Sequence, residues 1–99
     1  MCKELIQVIC ERTDAKIPAC KVGISPLPHY YIGNGNENNA FAHLTILLLS
    51  GRGIEEKQAL SQHATEIIKA HFTPICKNLE LQLTVRVDDM TKETYSKMQ

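Results

Sequence analysis

Apolar residues recur at helical spacing in the first stretch of the chain. Leu5, Ile6, Ile9 and Cys10 share one stripe, which predicts a helix over Met1–Arg12. Thr13 to Pro18 breaks the pattern, and Pro18 biases Ile17 away from helix. Cys20 to Ile32 reads as extended but irregular, because Pro26 and Pro28 each lack a ladder donor. An edge or kinked strand is expected there. GNGNENN, Gly33 to Asn39, is a turn or hairpin loop, since its glycines and asparagines accept positive φ. Ala40 to Leu49 is the strongest strand. Both of its faces become apolar after His43, so both are expected to be covered.

Gly51 and Gly53 end that strand, and a long helix follows from Ile54 to about Cys76. Leu60, Ala64, Ile67, Ile68, His71, Phe72 and Ile75 form its stripe. Glu55 and Glu56 sit in the first turn, where the helix dipole favours them. Pro74 closes or kinks the last turn. Leu79 to Asp88 then alternates: Leu79, Leu81, Leu83, Val85 and Val87 face one way, with Glu80, Gln82, Thr84, Arg86 and Asp88 opposite. That is a half-buried strand, whose polar face meets water or another subunit. In the tail DDMTKETYSKMQ, Met90 and Tyr95 are candidate anchors onto a neighbour. The order predicts an α+β domain, with helices on one side of a small sheet.

Composition narrows the function. The chain has 99 residues, with Lys plus Arg and Asp plus Glu balanced at 11 each. One domain, residues 1–99, is expected. No basic stripe suits nucleic acid and no cationic run suits an anionic membrane. No apolar run is long enough to span a bilayer, and the N-terminus lacks a signal-peptide layout. The four cysteines, at 2, 10, 20 and 76, form no C-x-x-C; reduced thiols in a cytoplasmic protein are the expectation. Cys10 and Cys76 fall in apolar helical patterns and read as core. His63 and His71 are eight apart rather than i, i+4, so no metal site is expected. His29, among prolines and tyrosines, reads as a loop residue.

The candidate chemistry centres on LLLSGRGIEEK. Arg52 stands between two glycines where an apolar strand gives way to a helix. Glycine permits close approach, and a helix N-terminus adds N–H donors, so a carboxylate ligand is a natural occupant. The alternative is that Arg52 pairs with Glu55, Glu56 or a neighbour's carboxylate. His43, on the central strand, is the second candidate. A lone strand histidine is more often structural than an acid or base.

The run AFAHLTILLLSGRGIEEKQALSQHATEIIKAHF, followed by LELQLTVRVDDM, resembles the 5-carboxymethyl-2-hydroxymuconate isomerases of the tautomerase superfamily. The similarity is specific over Ala40 to Met90 and weaker through the first helix and Cys20 to Ile32. It implies a tautomerase-like small mixed β-sheet with two helices on one face, a β-α-β-β-α-β subunit and a homotrimer. It also implies cofactor-independent isomerisation of small unsaturated dicarboxylic acids in aromatic catabolism. In such enzymes an amino-terminal proline is the base and arginines bind the substrate carboxylates. Arg52, with His43, is then the expected substrate-binding set.

The sequence departs from that pattern. Cys2 follows Met1 where the family has proline, and the chain starts at the helix, so the family's first strand and its base are both missing. Ser25 follows Ile24 where the family carries an arginine, and Leu27 stands in place of a second. With Met1 removed, the α-amino group of Cys2 has a pKa of about 8, but no strand places it. No catalytic residue is therefore assigned, and the chain is expected to be inactive unless a segment precedes Met1. The alternative is a non-catalytic oligomeric scaffold or carboxylate-binding protein. In a third reading, a neighbour's Cys20–Ile32 segment or tail completes the sheet by strand exchange.

Overall fold

The computed structural model describes residues 1–98. Its elements are α1 (Cys2–Arg12), β1 (Asn39–Leu49), α2 (Ile54–Phe72) and β2 (Glu80–Met90), with short 3-10 turns at Ile17–Ala19 and Lys92–Thr94. β1 and β2 pair in parallel, from Asn39 opposite Glu80 to Leu49 opposite Met90. Parallel neighbours need a long crossover, and α2 supplies it. The α+β class is as the pattern predicts.

α1 ends where Thr13 turns its hydroxyl back on the helix. Thr13 Oγ1 donates to the Ile9 carbonyl at 2.6 Å and accepts from Ala15 N at 3.1 Å. This side-chain closure carries the chain directly into Asp14. α2 ends at Phe72, a turn before the expected limit, and its last residues give way to turns. Pro74 has no N–H to continue the ladder.

Both helices cover one face of the sheet. Leu5 and Val8 of α1 meet Leu60, Ala64 and Ile68 of α2 over Ile46 and Leu48 of β1. Leu5 and Leu60 are the largest fully buried side chains. On β2, Leu83, Val85 and Val87 pack against this core, while Gln82, Thr84 and Arg86 are exposed. Period-2 alternation therefore assigns the faces of β2 as read.

Two expectations are corrected. Cys20–Ile32 forms no strand, and the sheet among the described residues is a parallel pair rather than a mixed one. The prolines remove donors, and the segment finds no partner with which to build a ladder. β1 is also covered on one face only. Phe41 and Leu47, on the opposite face, are 42% and 56% exposed. No helix or strand of the described residues forms a second layer on that face. The turn at Gly33–Asn39 is as expected: Gly33 and Gly35 both have positive φ, and a Cβ at Gly35 would lie 2.7 Å from the Tyr31 ring.

Candidate functional site

A trough of about 510 Å³ is lined by Leu5 and Ile9 of α1, residues 19–23, residues 44–49 of β1 and Arg52. Alternate residues of a strand point to opposite faces, so a cavity touching six in succession runs along the strand's edge. That edge of β1 carries no partner strand among the described residues. Its volume falls in the range of about 300–1,000 Å³ typical of small-molecule sites.

Arg52 stands at one end. Ser50 and Gly51 form the turn that presents it, and Gly51 has φ +116°, a conformation other residues rarely adopt. A side chain at Gly51 would also meet Lys92 Nζ at 3.2 Å. The guanidinium is mostly buried, with its side chain 17% exposed. Nη1 donates to the Leu49 carbonyl at 2.8 Å, and Nη2 is bonded to the Asp14 carboxylate. Nε is buried without a hydrogen-bond partner. The partner of Arg52 is thus Asp14, brought from the end of α1, and neither Glu55 nor Glu56. The N-terminal turn of α2 takes no part in the trough lining.

Pattern reading missed Asp14, Lys21 and the placement of Lys97, all of which line the trough. Lys21, Arg52 and Lys97 set three cations against one carboxylate. The usable signal was the TDA stretch, where a threonine helix cap fixes the following aspartate. Asp14 is 87% exposed at its side chain. The positive charge of Arg52 is the main cause holding its carboxyl below the usual aspartate value; a backbone hydrogen bond and that from Arg52 add to the effect. The folded pKa therefore lies below the unfolded one, near 3.8. The stabilisation from this pair is complete above the unfolded value and is lost as the pH falls through the lower folded value. An NMR titration of the Asp14 carboxyl carbon should show its midpoint below 3.8; a midpoint at or above that value would remove Arg52 as its partner.

His43 stands elsewhere. Its Nδ1 lies 2.6 Å from Thr84 Oγ1 and its Nε2 2.9 Å from Thr45 Oγ1, on the uncovered face of the sheet. Six residues of strand separate it from Leu49, roughly 20 Å at the usual rise. Within one chain, His43 and Arg52 do not share a cavity. His63 accepts from Arg12 Nε at 3.2 Å, His71 packs edge-on against Phe72, and His29 is exposed. No cluster of three or more His, Cys, Asp or Glu with metal-binding geometry occurs among the described residues. No helix among them is long and apolar enough to cross a membrane.

The amino-acid chain matches one family over residues 1–99: 5-carboxymethyl-2-hydroxymuconate isomerase. The chain belongs to that family. It is accordingly an isomerase-like protein of the tautomerase superfamily. A search of curated proteins returns no match. The Met1 amine lies 3.5 Å from Glu4, at the start of α1. Met1 packs against the core, and it is not among the residues lining the trough.

Proposed function

We propose that this chain binds a small unsaturated dicarboxylic acid in the trough beside Arg52 and does not isomerise it. The reading rests on one observation above all. A largely buried guanidinium closes an apolar trough, and among the described residues its anionic partner is a highly exposed aspartate. An incoming carboxylate competes with Asp14 for Nη2, and Lys21 and Lys97 supply further positive charge. Charge-assisted hydrogen bonds of this kind are about twice as strong as neutral ones.

Proton transfer needs a positioned base as well. Of the groups lining the trough, Asp14 is made a weaker base by Arg52, and burial raises the Cys20 pKa and favours its protonated thiol. The purified 99-residue chain should therefore give no ketonisation of a 2-hydroxymuconate-type substrate above the buffer rate. It should still bind the dicarboxylate by calorimetry, more tightly in Asp14→Asn. Robust turnover, lost in Arg52→Ala, would overturn the inactive reading.

The second part of the proposal is assembly as a homotrimer, a single domain per chain, in the cytoplasm of a cell that degrades aromatic acids. The uncovered sheet face supports it: Phe41 and Leu47 are apolar and exposed beside the polar cluster of His43, Thr45 and Thr84. Covering that face would bring His43 towards a neighbour's surface, the one route by which it joins a ligand site. Strand exchange along the free edge of β1 is the competing use of the trough, since a neighbour's strand seated beside residues 44–49 would displace the ligand. Light scattering that reports a stable monomer would overturn trimer and exchange together.

A further inference from the structure

Two thiols that the proposed binding role does not use lie against each other. Cys10 Sγ, on α1, is 3.7 Å from Cys20 Sγ, which follows the 3-10 turn at Ile17–Ala19. Both are half-buried, free cysteines. Ten residues separate them, and the Thr13 cap together with the Ile17–Ala19 turn folds the intervening chain back so that they meet. Cys20 Sγ also donates to the Lys16 carbonyl at 3.4 Å. Burial and the neighbouring Cys10 raise the Cys20 pKa, so the resting state there is a thiol. Beyond Cys20 the chain forms no helix or strand until β1, so no ladder hydrogen bonds tie Cys20 to a neighbouring element. A disulfide needs the sulfurs to close to about 2.05 Å.

We propose that Cys10 and Cys20 form a dithiol oxidation site, which takes a low-molecular-weight disulfide such as glutathione disulfide as co-reactant. The Cys10 thiolate attacks one sulfur of the glutathione disulfide. A bond from Cys10 to glutathione forms, the glutathione S–S bond breaks, and the departing thiolate takes up a proton. Cys20, having lost its proton to water, attacks the Cys10 sulfur. The intrachain disulfide forms and the second glutathione leaves as thiolate. Two protein thiols are oxidised, one glutathione disulfide is reduced to two thiols, and two electrons pass. The product closes the loop that carries Asp14 and pins it to α1.

The test uses the reduced wild-type chain, equilibrated with graded ratios of reduced to oxidised glutathione, quenched in acid and mapped as unreduced peptides. The expected product is a Cys10–Cys20 link that has lost two hydrogens, reverts with dithiothreitol, and whose oxidised-to-reduced ratio rises in proportion to the concentration of glutathione disulfide divided by the square of that of reduced glutathione. In guanidinium, the preference for this pair over links to Cys2 or Cys76 should fall by on the order of tenfold, because only chain closure then selects partners. Cys10→Ser should stop at a mixed disulfide on Cys20. The proposal is overturned if both thiols stay reduced, if the folded wild type stops at single glutathione adducts, or if Cys2 or Cys76 supplies the dominant link. It does not depend on the binding role of Arg52, so failure of either leaves the other standing.

Discussion

Leu60→Ala should destabilise the protein by about 2–5 kcal/mol, the range for a fully buried leucine whose neighbours relax only in part. Leu60 is 0% exposed and is one of the seven buried residues that form the core between the helices and the sheet among the described residues. Few neighbours are available to fill the space. For a domain of this size each kcal/mol lowers the melting temperature by about 4–8 °C, so a fall of at least about 8 °C is expected. Urea unfolding should show a lower midpoint with an unchanged slope. Leu47→Ala is the internal comparison. Its side chain lies on the uncovered face, and in a dilute single subunit its loss should be small. A Leu60→Ala change below about 1 kcal/mol would mean that α2 does not pack on β1 and α1 as described.

The second large effect falls on binding. Arg52→Ala should weaken the affinity for a small dicarboxylate, muconate being a practical probe, by about 10- to 100-fold. Hydrogen bonds to charged groups contribute roughly 1.5–3 kcal/mol, and each 1.4 kcal/mol is about a factor of ten. Fold stability should change far less, because Asp14 is exposed and returns to water when its partner goes. Arg52→Lys should recover part of the loss, since lysine keeps the charge but not the planar fork. Calorimetry at low ionic strength, repeated in added salt, separates this contact from the diffuse attraction of Lys21 and Lys97. An affinity unchanged within about twofold would remove Arg52 from the ligand site.

Most of the fold was legible because its strongest elements obey simple periods. The long helix and the alternating strand each expose a whole face to one environment, so Leu60, Ala64 and Ile68 on one and Leu83, Val85 and Val87 on the other could be read directly. Val8 was missed in the first helix, although it is 2% exposed, because the chosen stripe ran through Ile6 and Ile9. Cys20–Ile32 was misread as a strand. Extended propensity marks where a ladder can form, but a ladder needs a partner, and pairing is non-local.

The site was legible in part for the same reason. Gly51 and Arg52 announce themselves locally, through a turn only glycine accommodates. Asp14 reaches Arg52 across 38 positions, and no local pattern encodes that meeting. The expected partners Glu55 and Glu56 lie near in sequence, but neither bonds to the guanidinium. Cys10 was assigned to the core from its stripe; its half-buried position beside Cys20 depends on how the connection folds back.

The bare side of the two-stranded sheet changes what a stability measurement on this polypeptide means. Two strands alone are a marginal unit. If subunits dock across Phe41 and Leu47, burial of those groups is a term that depends on how many copies are dissolved. Unfolding then obeys mass action, and the transition temperature climbs with protein concentration. A melting curve recorded at a single concentration describes the sample as much as the sequence.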